Sequence, residues 1–194
     1  MARQRRSTRG GQNRLRIIGG RWRGRKLDFP DVPGLRPTPD RVRETLFNWL
    51  QADVHGARCL DLYAGSGALG LEALSRGASR VVLVDESSAA TRQLEANLQR
   101  LHADDAAVVR MPVQTFLERG PGDARYDLVF LDPPFGQNLL APTLQWLEEK
   151  HWLAPGARVY IESESQLREP PLPAGWELLK EKRSGQVIYR LAGR

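Results

Sequence analysis

The groups best suited to chemistry in this 194-residue chain stand together at Tyr126-Asp127-Leu128-Val129-Phe130-Leu131-Asp132-Pro133-Pro134-Phe135. Leu128 to Leu131 form a continuous apolar run, the pattern of a strand buried on both faces. The run stops at two prolines, which offer no N–H to a sheet ladder and fix their own φ. The residue before each proline is held extended. The expected product is a stiff loop at the carboxyl end of a central strand, where open α/β sheets place ligands. Its tip carries the Asp132 carboxylate, the Pro133 carbonyl and the Phe135 ring, with Pro134 completing the lip. An exocyclic amine on a nucleobase is a poor nucleophile, because its lone pair is delocalised into the ring. Two adjacent acceptors can hold its two N–H bonds and localise that pair. An aromatic face stacks on the base, contributing about 1–3 kcal/mol. The plainer alternative is a proline-terminated strand with a solvated Asp and a packed Phe.

A second constellation precedes it. Gly65-x-Gly67-x-x-Gly70 lies between an apolar strand, Cys59-Leu60-Asp61-Leu62-Tyr63, and a helix carrying Leu71, Ala73 and Leu74. Glycines there permit a tight turn and close approach of backbone to ligand, and the helix start offers unpaired N–H groups. Tyr63, Ala64 and Ser66 complete the turn, and Asp85 follows at the end of the next strand with Glu86 beside it. Asp85 can accept from both hydroxyls of a ribose. This much fits a dinucleotide as well as S-adenosylmethionine. Asp61, four residues before Gly65, separates them: a carboxylate there accepts from an ammonium group, directly or through water, and repels a pyrophosphate. The alternative is that Asp61 caps a helix and Asp85 caps a strand. Further on, Met111, Pro112 and Val113 follow a short strand.

These residues need elements to hold them. Strands are expected over 59–63, 79–84, 107–109, 126–131 and 158–162, alternating with helices after Gly65, after Ser87 or Ser88, over 114–119 and over 139–149. Trp176–Lys182 and Gln186–Leu191 flank Arg183-Ser184-Gly185 as a hairpin. Alternating strands and helices closed by a hairpin imply a mainly parallel sheet with an antiparallel edge strand. Upstream, Leu15–Ile18 and Arg25–Phe29 form a second hairpin, with Trp22 near its turn; Trp22 either stacks on a base or anchors the hairpin. Residues 30–37 are a Pro/Gly linker. Thr38 or Asp40 is then the N-cap of a helix whose inward stripe is Val42, Leu46, Trp49 and Leu50. Arg41 and Arg43 lie off that stripe and Arg36 precedes the cap; the three face either phosphates or solvent.

Charge is unevenly spread. Residues 1–26 hold ten Arg and Lys and no acid, out of 29 basic and 23 acidic residues in the chain. The remaining 168 residues therefore hold 19 basic and 23 acidic groups, a net −4. A basic arm on a mildly acidic globule is an electrostatic grip for nucleic acid; the alternative is a solubility tail. Residues 1–13 are polar, Arg-rich and expected to be disordered. With Cys59 as the sole cysteine, an intramolecular disulfide and a Cys-based metal site are excluded. His55, His102 and His151 lack ligand spacing, so no metal is expected. No apolar run approaches the roughly 18 residues of a membrane span, and the N-terminus lacks the apolar segment of a secretory signal. A cytoplasmic protein without a membrane partner, acting as a monomer, is expected.

Asp132-Pro133-Pro134-Phe135 resembles the (Asn/Asp/Ser)-Pro-Pro-(Tyr/Phe) signature of amino methyltransferases, and Asp61-x-x-x-Gly65-x-Gly67 resembles the cofactor motif of Rossmann-like methyltransferases. Together with Arg16-Ile17-Ile18-Gly19-Gly20-x-x-Arg23-Gly24-x-Lys26-Leu27 and Arg36-Pro37-Thr38-x-Asp40-Arg41-Val42-Arg43-Glu44-x-Leu46-Phe47-Asn48-Trp49-Leu50, the chain closely resembles the RsmD family. The resemblance covers about residues 14 to 191. It implies a class I, Rossmann-like fold with a mainly parallel seven-stranded sheet, an antiparallel C-terminal hairpin strand and an N-terminal β-hairpin. Residues 14–37 would then be an RNA-binding extension and 38–194 the S-adenosylmethionine-dependent domain. The implied reaction is methylation of N2 of a guanine, position 966 of bacterial 16S ribosomal RNA, within assembling 30S subunits, releasing S-adenosylhomocysteine. On this reading Asp132, Pro133 and Phe135 act on the base, with Pro134 beside it. Asp61, Tyr63, Ala64, Gly65, Ser66, Gly67, Asp85, Glu86 and Val113 hold the cofactor, and Arg16, Arg23, Arg36, Thr38 and Arg41 meet RNA. An adenine-N6 methyltransferase acting on DNA or RNA would use the same loop. An NAD(P)-dependent oxidoreductase and a non-catalytic RNA-binding protein are more remote alternatives.

Overall fold

The computed structural model describes residues 13–32, 35 and 37–194. The expected tail lies outside them except for Asn13, as does Arg36.

The hairpin consists of β1 (Asn13–Arg16) and β2 (Lys26–Phe29), antiparallel with Leu15 opposite Leu27. A two-stranded ribbon is marginal in water, so it survives by docking. Ile17, Trp22 and Leu27 enter the same apolar cluster as Leu46, Phe47, Leu74 and Leu94 of the main body. Trp22 is buried and its backbone N–H donates to Ser75 Oγ at 3.0 Å. Of the two roles open to Trp22, the anchoring one is the role it fills.

The chain continues through α1 (Asp40–Trp49), β3 (Arg58–Leu62), α2 (Ala68–Ser75), β4 (Arg80–Asp85), α3 (Ser88–Leu101), β5 (Ala106–Arg110) and α4 (Val113–Glu118). Then come β6 (Tyr126–Leu131), α5 (Leu140–Glu149), β7 (Leu153–Glu164), β8 (Glu177–Ser184) and β9 (Val187–Gly193). The main sheet has seven strands in the order β5-β4-β3-β6-β7-β9-β8. The first five run parallel, β9 is antiparallel to β7, and β8 is antiparallel to β9. Two strands thus carry the antiparallel edge: β9 slots between β7 and β8, so both arms of the terminal hairpin join the sheet. β7 runs from Leu153 rather than Arg158, because its early residues also pair across to β6.

Strand order reverses between β3 and β6, the switch point at which open sheets form a ligand crevice. One apolar cluster packs α1, α2, α3 and the hairpin on one face; a second packs α4 and α5 on the other. All eight residues of α2 are buried. Gly70 allows its close approach: a Cβ there would stand 2.7 Å from Leu83 Cδ2 and 2.8 Å from Asp61 Oδ2. Ser87 caps α3, accepting from the Ala90 N–H at 3.3 Å. Neither Thr38 nor Asp40 caps α1. Pro39 occupies the cap position with no side-chain bond, because Thr38 is drawn inward: its carbonyl accepts from Arg43 Nε at 3.1 Å.

Arg43 corrects a second expectation. It is fully buried, donating to Arg16 O at 2.8 Å, Asp40 at 2.6 Å and Glu72 at 3.3 Å. Glu72, also fully buried, accepts from the backbone N–H groups of Ile18 and Gly19, both at 2.8 Å, and from Arg76 at 2.8 Å. A buried carboxylate is tolerated when paired and fully hydrogen-bonded, and this one clamps the hairpin to α2.

Candidate active site at the switch point

Three acidic side chains cross the sheet side by side. Asp61 on β3 is in register with Phe130 on β6, which is in register with Tyr160 on β7. Side chains alternate faces along a strand, so Asp132 and Glu162, each two residues further on, share the α1 face with Asp61. Asp61 and Asp132, expected to flank one crevice, stand at the ends of neighbouring strands, close enough for Asp61 to act on the Asp132 carboxyl. Asp61 is buried and accepts from the Gly70 N–H at 2.8 Å. Burial, opposed by that bond and reinforced by Asp85, pushes its carboxyl up to about 8. Burial first, then Glu162 and Asp61, raise the Asp132 carboxyl well above the usual range. Burial also raises Glu162, against hydrogen bonds from Tyr160 and Thr38 that favour its anion. A row of acids held this way is complementary to a cation or to a donor-rich edge. Among the described residues no group of three or more His, Cys, Asp or Glu is arranged to hold a metal ion.

The glycine loop after β3 lies beside Asp61. Gly65 and Gly67 have φ of 51° and 75°. A Cβ on Gly67 would meet Leu94 Cδ2 at 2.5 Å, so both backbone angle and space demand glycine there. Tyr63 also has positive φ, 63°, unusual for a bulky residue. Its hydroxyl shares a 2.8 Å hydrogen bond with Thr143 Oγ1. Ala64 and Ser66 are buried within the turn. Asp85 is committed more fully than a ribose acceptor alone would be: its oxygens accept from the Gly65 N–H and the Ser87 N–H, both at 2.8 Å. It stitches the loop to the end of β4. Glu86 is exposed and close enough to Tyr63 to contribute, after burial, to raising that phenol. Val113 is buried as the first residue of α4, so its side chain serves the core; Met111 packs at the edge of the same cluster. The cradle fits an adenosyl group carrying an ammonium: close backbone approach, two acids at strand ends, and Asp61 in need of a positive partner.

Beyond Asp132, Pro133 is buried while Pro134 and Phe135 are exposed. Phe135, at 46 %, is the most exposed of the large apolar side chains described. It borders an open hollow of about 750 Å³, also lined by Pro134, Asn138, Glu162 and Leu167, within the range of small-molecule sites. The Gly136 N–H donates to Glu164, tying the loop to β7. The segment after β7 that walls the hollow is held by Arg190, fully buried, which donates to Ser163 Oγ at 2.8 Å, Leu167 O at 2.8 Å and Arg168 O at 2.9 Å. Glu162 and Arg190 were not singled out from the sequence. An acid directly after the apolar run Val159-Tyr160-Ile161 was the available signal for Glu162; nothing marked Arg190, an arginine in a strand with ordinary alternation.

The residues expected to meet RNA are dispersed. Arg23 and Arg41 are exposed. Arg16 is exposed but paired with Asp40 at 2.9 Å. Thr38 lies 5 % exposed against Glu162, beside the base loop rather than on the basic surface.

Fold and site together define a Rossmann-like, class I methyltransferase. A ribosomal protein L11 methylase from Lactobacillus delbrueckii shares that fold at 19% identity, with a TM-score of 0.62 over 84% of this chain and 82% of its own. The model of the family described as "Conserved hypothetical protein 95" matches residues 15–193, and the chain belongs to this family, the RsmD family. The Escherichia coli (strain K12) protein named ribosomal RNA small subunit methyltransferase D is 52% identical over 182 residues, covering 93% of this chain and 90% of its own. The Haemophilus influenzae protein of the same name is 47% identical over 181 residues, covering 91% and 92%. A solved Escherichia coli structure, 49% identical, superposes with a TM-score of 0.87 over 94% of this chain and 98% of its own. No helix among the described residues is long and apolar enough to cross a membrane.

Proposed function

We propose that this chain methylates the exocyclic N2 amine of a guanine in small-subunit (16S) ribosomal RNA, acting as a monomer in the cytoplasm on assembling 30S particles. The observation that carries the reading is the proline-stiffened acceptor loop standing next to Asp61 and the glycine cradle at one switch point. The names of close relatives supply the class of RNA. Bound S-adenosylmethionine supplies an electrophilic methyl on a sulfonium and leaves as the neutral thioether.

The chain's own residues position the other reactant. The guanine leaves its stack, as bases must to reach an enclosed site, and its ring lies on Phe135. The Asp132 carboxylate and the Pro133 carbonyl accept the two N2–H bonds and aim the lone pair across the crevice toward Asp61 and the glycine loop. As the N–C bond forms, N2 becomes cationic and one of its protons passes to Asp132 or to water. Most of the acceleration comes from positioning. Arg23 and Arg41, with the other exposed basic residues of the hairpin, meet phosphates.

The test is transfer of tritium from labelled S-adenosylmethionine to under-modified 16S RNA, free and in small-subunit particles, with mapping of the labelled base. Label on a guanine amine is expected, more strongly in particles. Label on adenine N6, or none in either substrate, refutes the assignment.

A further inference from the structure

The Asp-Pro-Pro-Phe loop holds an amine but does not select the base that bears it, since guanine and adenine each present two exocyclic N–H bonds. Glu162 supplies what the loop lacks. It lies on β7 beside Asp132, on the same face of the sheet, and lines the same hollow as Pro133 and Phe135. It is 5 % exposed, and its direction is set. The Tyr160 hydroxyl donates to Oε1 at 2.7 Å, and Thr38, just before α1, stands near enough to favour its anion.

Guanine's Watson–Crick edge carries three adjacent donor hydrogens, one on N1 and two on N2. Adenine's places its amine next to a bare N1 lone pair. A second carboxylate beside the one that grips the amine therefore attracts the first edge and repels the second. Buried acceptors left facing a lone pair are costly, which is how polar sites reject near-isosteres.

We propose that Glu162 sets base choice, its carboxylate accepting the N1–H of guanine while Asp132 and the Pro133 carbonyl hold N2. This rests on the assignment of guanine transfer above. Tyr160 and Thr38 are positioning residues behind it. Thr38 also ties the pocket to the hairpin, since its carbonyl is held by Arg43, the same side chain that holds Arg16 O. Glu162 stands close enough to Asp132 to add, after burial, to the raising of its carboxyl.

The test uses small-subunit particles rebuilt on ligated 16S RNA carrying guanine or 2-aminopurine at the labelled position. 2-Aminopurine keeps the amine at C2 but has a bare N1 and no O6. kcat/KM on each is measured for wild type, Glu162→Gln and Thr38→Val, with S-adenosylmethionine binding by calorimetry as the check on folding. Wild type is expected to prefer guanine by about 10- to 100-fold, the worth of one charge-assisted hydrogen bond. Glu162→Gln, whose amide can donate to a bare N1, should bring the preference within about threefold; Thr38→Val should fall between. A preference that owes everything to O6 would survive in Glu162→Gln and overturns the proposal, as does an equal loss on both bases or a wild type without preference. A wild type that labels no guanine in natural particles overturns the parent assignment, and this one with it.

Discussion

Removing the Glu72 carboxylate tests whether one buried group joins the basic hairpin to the catalytic body. In Glu72→Ala, Arg43 loses its 3.3 Å partner and keeps Asp40 and Arg16 O. The N–H groups of Ile18 and Gly19 lose their 2.8 Å acceptors, and Arg76 loses its own. Breaking a buried pair costs about 3–5 kcal/mol, a large share of the 5–15 kcal/mol of a typical domain. Relief of carboxylate desolvation offsets part of the loss of the two backbone bonds, so about 3–5 kcal/mol is the expected total. Glu72→Gln keeps an acceptor and should cost roughly half as much. Urea denaturation gives the size, and hydrogen exchange gives the place. The amides of Ile18, Gly19 and Trp22 should lose protection before those of β3 and β6, because the hairpin is left with the packing of Ile17, Trp22 and Leu27 and a few bonds such as those to Ser75 and Asn97. A loss under about 1 kcal/mol, or exchange that rises equally across the sheet, refutes the reasoning.

Asp132→Ala should retain S-adenosylmethionine binding by calorimetry, since Asp132 lies outside the glycine loop, while transfer falls by about a hundredfold or more; wild-type turnover would remove Asp132 from the reaction. Phe135→Ala, at an exposed position, should leave the unfolding midpoint within about half a kcal/mol yet weaken kcat/KM by about 1–3 kcal/mol of lost stacking; an unchanged kcat/KM would show that the base lies elsewhere. Asp61 moves from 3.8 unfolded to about 8 in the empty fold. The native state then binds the extra proton between those values, and this group's contribution to stability falls as pH rises from about 4 to about 8. An ammonium beside Asp61 reverses the shift, so cofactor binding near pH 7 should release a proton. Titration calorimetry in buffers of differing ionisation heat reads that release, which Asp61→Asn should abolish; buffer-independent heats in wild type would contradict it.

The parts legible in the sequence are local. A run of apolar residues ended by two prolines specifies its own strand and stop, and glycines at fixed offsets between a strand and a helix specify their own turn. Asp61, Asp85 and Asp132 could be placed at strand ends because strand length is short and counting is reliable. Other features depended on which surfaces meet. Arg43 reads as an off-stripe helical arginine and is fully buried, because Glu72, 29 residues later, comes to it. Thr38 reads as a helix cap and instead stands by Glu162, 124 residues away, because the fold brings the start of α1 to β7. Asp85 reads as a free ribose acceptor and spends both oxygens on backbone N–H groups of its own turns. Arg190 gave no sign at all of holding the wall of the hollow. Propensity and turn chemistry act over a few residues, so sequence alone determined the strands, the glycine loop and the acceptor lip. Burial and charge pairing act through space, so only the packed sheet decided which acids stand in one row and which arginines leave the surface.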